Sequence, residues 1–195
     1  MRTLTVIEFL TVDGVMQGLG SPDEDRDGGF EHGGWGAPYA EGIQRSVASS
    51  GGLTETTAYL FGRRTYEKMA EFWPTQSDAN PMAAHLNSTP KYVATSSVSA
   101  LEWERAEVLA GPVETAVPEL KSAGEGTIAV LGSGLLVKTL MVHELVDELR
   151  LFVHPLLLGT GKRLFGDLPA AQRLALIDHS TTDQGTLVLR YTRAV

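Results

Sequence analysis

The chain contains no cysteine, which excludes disulfides, thiolate metal sites and thiol nucleophiles and makes it indifferent to redox compartment. Positive charge is also scarce: 16 Lys and Arg stand against 24 Asp and Glu in 195 residues, a net charge of −8. Such a surface repels a phosphate backbone, so nucleic acid is not an expected partner. No apolar run approaches the roughly 20 residues that span a bilayer. The opening MRTLTVIEFL alternates polar with apolar residues, as a strand does and the apolar core of a secretory leader does not. The expectation is a cytoplasmic protein folded as a single domain over residues 1–195, with no membrane partner.

Several signatures are missing as well. The histidines are scattered singly, with no pair at metal-ligand spacing. Asp23, Asp25, Asp27 and Gly28 imitate the start of a calcium loop, but Gly34 stands where that loop needs a bidentate glutamate. GTGKR around Lys162 lacks the hydroxyl residue that follows the lysine of a phosphate loop, and no nucleophile elbow is present. No metal is expected.

What is present is an alternation of strands and helices. Leu4 to Val12 reads as a strand closed by Asp13-Gly14. Gly18 to Gly36 is a long loop rich in glycine and acids, and loops of that length are usually functional or mobile. Helical spacing runs from Tyr39 to Ser49, a strand from Ala58 to Phe61, and a helix from Thr65 to Phe72 before Pro74. After a further polar loop come a strand from Lys91 to Ser96 and a helix from Glu114 to Ser122, whose Pro118 has to fall in the first turn. A strand at Thr127 to Leu131, a glycine turn and a helix from Leu135 to His143 follow. DELRLFVHPLLLG, Leu174 to Asp178 and TLVLRYTR supply the last strands. The pattern implies an α/β fold, a mostly parallel mixed sheet with helices on both faces and an antiparallel hairpin at the C-terminal end.

Two glycine turns carry the chemistry. In LFGRRTYEKMAEFWP, Gly62 follows a strand and Arg63, Arg64 and Thr65 open a helix. Cations at the positive end of a helix are unfavourable unless an anion joins them, and an arginine fork grips phosphate in two places. The bland alternative is that both arginines are solvated, or that one pairs with Glu67 or Glu71. In VLGSGLL, Gly132, Ser133 and Gly134 likewise join a buried strand to a helix, so that backbone can approach a ligand closely. The dinucleotide fingerprint is incomplete there, since its third glycine is Val137 and no ribose-binding acid follows near residue 152. Two phosphate sites, one with arginines, still suit the two ends of a dinucleotide carrying an extra 2′-phosphate. Thr95, Ser96 and Ser97 offer hydroxyls at a third strand end.

FLTVDGVM, FGRRTYE, VATSS, VLGSGLL and VHPLLLGTGKRLF, in this order from Leu4 to about Arg193, resemble the dihydrofolate reductase-like family, in the branch related to the reductase domain of riboflavin biosynthesis. The resemblance implies NADPH as cofactor, lined by Gly62, Arg63, Arg64, Thr65, Thr95, Ser96, Ser97, Gly132, Ser133, Gly134 and Leu135. It implies a reductase that passes a hydride to a small heterocyclic or conjugated substrate. Reduction of dihydrofolate or of a riboflavin intermediate of the 5-amino-6-ribosylaminouracil phosphate type is an alternative, as is a nucleotide-binding module without catalysis. Without cysteine the zinc deaminase activity that often accompanies riboflavin reductases is excluded. By position, Asp13 and Glu41 are the candidate catalytic carboxylates, with an Asp-Gly turn and a first-turn helix acid as their bland alternatives. Trp35 is the candidate on the substrate side, carried by a loop expected to act as a mobile lid in which Phe30 and Trp35 give apolar cover once a ligand is present. A homodimer is expected, partly from the resemblance and partly from the apolar density of LRLFVHPLLLG.

Overall fold

Strands buried on both faces read as unbroken apolar runs, and β2 (Thr56–Gly62) and β5 (Thr127–Val130) are built that way, with Ala58 to Phe61 and Ile128 to Val130 all buried. The computed structural model describes residues 1–49, 51–97, 100–166 and 168–194. The remaining strands are β1 (Thr3–Thr11), β3 (Lys91–Ala94), β4 (Ala106–Val108), β6 (Glu148–His154), β7 (Leu174–Thr181) and β8 (Leu187–Arg193). Six helices occur among the described residues: α1 (Ala40–Ser49), α2 (Gly52–Glu55), α3 (Arg63–Phe72), α4 (Pro81–Ser88), α5 (Val113–Ser122) and α6 (Gly134–Val142). The sheet order is β4-β3-β2-β5-β1-β6-β8-β7. Pairings among β1 to β5 are parallel, while β8 runs antiparallel to both β6 and β7, so the mixed sheet with an antiparallel C-terminal hairpin is as the sequence pattern implied.

Three local expectations are corrected. The polar stretch before β3 contains α4, whose start is marked by Asn80, its side chain accepting from the Met82 and Ala83 amides, with Pro81 in the first turn. Strand β4 is too short to show a period. Pro118 lies inside α5, past the first turn, because the helix begins at Val113 directly after Pro112. It forfeits one backbone hydrogen bond there, and the burial of Ala116, Val117 and Leu120 on the same helix holds the segment in place.

Two compact units divide the contacts: residues Met1–Val6 with Gly51–Asp147, and Ile7–Ser50 with Glu148–Val195. In the first, Lys91 is fully buried, and its ammonium donates to the carbonyls of Thr89 at 2.7 Å, Glu104 at 2.9 Å and Asn87 at 3.3 Å. It also lies 4.7 Å from the Trp103 ring centroid. Burial is the main reason its pKa falls to about 8, and three carbonyls with a ring face compensate the charge.

In the second unit the loop from Gly18 to Gly36 is pinned. Phe30 and Trp35 are buried with Val15 against Leu19, Leu156 and Leu158, and the Trp35 indole donates to the Gln17 carbonyl at 2.7 Å. Lys162 reaches Asp25 at 2.7 Å and Asp27 at 2.8 Å, and the Gln17 amide donates to the Asp25 side chain. Both rings thus belong to the apolar cluster of the loop itself. The loop's acids hold a lysine.

Candidate functional site

In the first unit three turns meet at the carboxyl ends of parallel strands. Gly62 is the register partner of Ala94, which places Thr95, Ser96 and Ser97 beside the start of α3. On the other side the Gly62 amide donates to the Gly132 carbonyl at 3.1 Å. A Cβ on Gly62 would collide with Ser133 Oγ and lie 3.1 Å from Ser133 Cβ and 3.2 Å from its amide nitrogen, so only glycine lets the two turns touch. Gly132 has φ of 102° and precedes a cis peptide to Ser133. The sequence-predicted residues Gly62, Arg63, Arg64, Thr65, Thr95, Ser96, Ser97, Gly132, Ser133, Gly134 and Leu135 are thus neighbours along one edge.

The electrostatics of that edge suit an anion. Neither α3 nor α6 has a side-chain cap or an acid in its first turn, so the first amides of two helices, each with the positive end of its dipole, share one rim. Thr95 Oγ1 accepts from the Ser97 amide at 3.2 Å, forming a small hydroxyl turn. Leu135, in the first turn of α6, is 80 % exposed. Arg63 contacts Glu67 at 3.3 Å, with both side chains about half exposed. An exposed pair of this kind contributes roughly 0 to 1 kcal/mol, so Arg63 is only weakly held by Glu67.

The candidate carboxylates belong to the second unit and are engaged there. Asp13 accepts from the Thr11 hydroxyl, from the Gly159 amide at 2.8 Å and from the Leu158 amide at 3.3 Å, and Arg163 stands 3.6 Å away. The Thr11 hydrogen bond, helped by the backbone amides, holds its pKa below the ordinary carboxylate value. These contacts make Asp13 a latch for the segment after β6. Glu41 is exposed in the first turn of α1 and pairs with Arg45 at 2.6 Å, and Arg45 also reaches Asp183 at 2.8 Å, so this carboxylate braces a helix surface. Trp35 is buried edge-on to the His154 ring, with centroids 5.3 Å apart.

Two groups in the same unit escaped the sequence reading. Glu8 on β1 is 5 % exposed, its Oε1 has no partner among the described residues, and burial raises its pKa to about 8. His154 is fully buried, its Nε2 is also without a partner, and burial lowers its pKa to about 4. The signal for each was an ionisable residue inside a buried apolar run, Glu8 sharing strand parity with Leu4, Val6 and Leu10.

These two groups give stability a defined pH profile. His154 is protonated more readily unfolded, so its contribution grows as pH rises from about 4 to 6.5 and is complete above that. Glu8 is protonated more readily folded, so its contribution is full below 4.5 and is lost as pH rises through about 8. The slopes cancel between 4.5 and 6.5, and above 6.5 only the Glu8 term remains. Denaturant titrations should show stability falling by about 2 kcal/mol between pH 6.5 and 8, a decline that Glu8→Gln removes. A native profile as flat as that of the variant would contradict the buried acid.

Comparison with known proteins gives the fold and the family. A protein from Shewanella sp. PV-4 assigned to riboflavin biosynthesis superposes with a TM-score of 0.70 at 15 % identity, covering 100 % of both chains. Dihydrofolate reductase from Enterococcus faecalis, solved in complex with NADP(H) and RAB-propyl, superposes with a TM-score of 0.58 at 16 % identity, covering 99 % of this chain and 97 % of that one. At these identities the likeness shows the fold, which is dihydrofolate reductase-like. The uncharacterized protein YyaP of Bacillus subtilis (strain 168) is 26 % identical over 142 residues, 71 % of this chain and 75 % of that protein. Residues 2–188 match the family described as RibD C-terminal domain, and with that match covering nearly the whole sequence, the chain belongs to this reductase-type family.

Proposed function

We propose that the chain is an NADPH-dependent reductase of a small, flat heterocyclic or conjugated substrate. The observation that carries this reading is the shared rim of two uncapped helix starts, with Arg63 and Arg64 at one and the Gly132–Leu135 turn at the other. The residues fit the cofactor: the first amides of α6, freed by Gly132 and Gly134, suit the pyrophosphate, and Arg63, Arg64, Thr65 and the Thr95–Ser97 hydroxyls suit the 2′-phosphate. Arg63 gives up Glu67 in doing so. A reduced nicotinamide bound there supplies the hydride. NADPH consumption with a panel of planar conjugated imines and carbonyls tests the reading. Saturable consumption with one of them is expected, and a protein that binds NADPH but consumes none with any is a binding module instead.

We infer further that two copies pair through β7. Within LRLFVHPLLLG, Leu149, Leu151, Phe152 and His154 are buried while Leu157 is 70 % exposed, and a broader exposed apolar row lies on β7. Strand β7 is a sheet edge with Leu174, Leu176 and Ile177 exposed at 39 %, 50 % and 51 %. An unpaired apolar edge invites a strand, and antiparallel pairing about a twofold axis covers the same residues on both copies. Light scattering should give twice the 21.0 kDa chain mass, and Leu176→Lys with Ile177→Lys should return it to one. A native monomer at micromolar concentration contradicts the pairing.

A further inference from the structure

Helix α3 carries both arginines of the first rim, yet a single side chain anchors it. Of its ten residues only Tyr66 is buried, and no side chain caps its first turn. Glu67 and Glu71 of the same helix line a cleft of about 1020 Å³ together with Leu101, Glu102 and Glu104. On that side α3 borders open space instead of packed side chains, so little besides Tyr66 fixes how the helix is rolled about its axis.

The anchor reaches a rigid partner. The Tyr66 hydroxyl accepts from the Trp103 amide at 3.0 Å in a buried bond that links residues 37 positions apart. Trp103 is itself held on several sides: its ring stacks on Phe61 of β2 at 6.2 Å and lies 4.7 Å from the Lys91 ammonium, and its indole donates to Asn87 Oδ1 at 2.9 Å. Lys91 also donates to the carbonyl of the next residue, Glu104, at 2.9 Å. Tyr66 stands one turn after Arg63, and a helix moves as one body over a single turn. The roll set at Tyr66 is therefore the roll of the arginine stems. Ring packing alone tolerates sliding, whereas a hydrogen bond fixes both a length and a direction.

We propose that Tyr66 is a positioning residue for cofactor choice: its hydroxyl, by accepting the Trp103 amide, fixes the roll of α3 at which Arg63 and Arg64 meet a 2′-phosphate. The proposal rests on the NADPH reading and names a determinant of that site's discrimination against NADH. Tyr66 touches no ligand in this assignment and acts through the arginines. An arginine fork grips phosphate at two points and needs distance and direction together. A small change of roll therefore costs the 2′-phosphate contacts and spares those that NADH shares with NADPH.

Tyr66→Phe keeps the ring and removes the bond. Calorimetry on the full chain should show NADPH binding weakened roughly fivefold and NADH binding unchanged. With Arg63 and Arg64 both replaced by alanine, adding Tyr66→Phe should cost NADPH nothing more, because the groups it positions are gone. An equal loss for both cofactors, or a loss that adds in full to that of the arginines, overturns the proposal and leaves Tyr66 as packing. If Tyr66→Phe does not fold, Asn87→Ala, which releases the Trp103 indole, carries the same test: a smaller but NADPH-selective loss supports the proposal and an equal loss overturns it. If the native protein binds no NADPH, 15N spectra of the arginine side chains separate the two readings. An Arg63 signal that moves in Tyr66→Phe supports the positioning and counts against the cofactor reading alone, and an unmoved one overturns both.

Discussion

Replacing Arg63 and Arg64 together by alanine should weaken NADPH binding by about a hundredfold or more and leave NADH nearly unchanged. Two charge-assisted contacts at roughly 1.5 to 3 kcal/mol each give that magnitude. The helix supplies the background, since the first amides of α3 carry no side-chain cap and no acid opposes the arginines in its first turn. Glu67→Gln should act in the opposite direction, because it frees Arg63 from its 3.3 Å partner, though only by a few-fold, as suits an exposed pair. If the double variant loses NADPH and NADH in equal measure, the arginines serve the general stability of α3 and not the 2′-phosphate.

Gly62→Val should damage binding and folding together. The φ of −75° at Gly62 is one any residue adopts, so the penalty is purely spatial. A side chain there meets Ser133 Oγ, with Ser133 Cβ and the Ser133 backbone nitrogen at 3.1 and 3.2 Å from the first carbon. Overpacking of this kind costs about 1 to 3 kcal/mol, and the movable part is the whole turn that opens α6. The thermal midpoint should fall and NADPH affinity should drop by roughly tenfold or more, in line with that cost. The milder Gly62→Ala should be partly rescued by Ser133→Gly, which removes the Oγ and Cβ contacts but not the backbone one. Additive effects in that double-mutant cycle would show that the two turns do not press on each other.

The strand-and-helix order was legible because the elements near the first rim are extreme in pattern: Ala58 to Phe61 and Ile128 to Leu131 are apolar throughout, and each is followed by glycine. The rim was legible for the same reason, since Gly62 and the Gly132 to Gly134 run mark strand-to-helix turns in the sequence itself. Helix α4 was hidden because its sequence, PMAAHLNS, has no strong apolar stripe, and its best signal was the Asn80-Pro81 cap. The partners of Asp13 and Glu41 were not legible, because position in the chain carries no information about them. The carboxylate of Asp13 is filled by amides of residues 158 and 159, some 145 positions away. His154 went unread for the converse reason. Among the apolar residues of LRLFVHPLLLG it looks like a packed core residue, and that its buried Nε2 lacks a partner among the described residues is visible only once Tyr39, Trp35 and Phe9 are folded around it.

The most direct measurement is calorimetric titration of the native protein with NADPH and with NADH at moderate salt. The account expects saturable NADPH binding, at least about tenfold tighter than NADH and weaker as salt rises, since the contacts are charge-assisted and exposed. No NADPH binding, or equal affinity for the two cofactors, would contradict it.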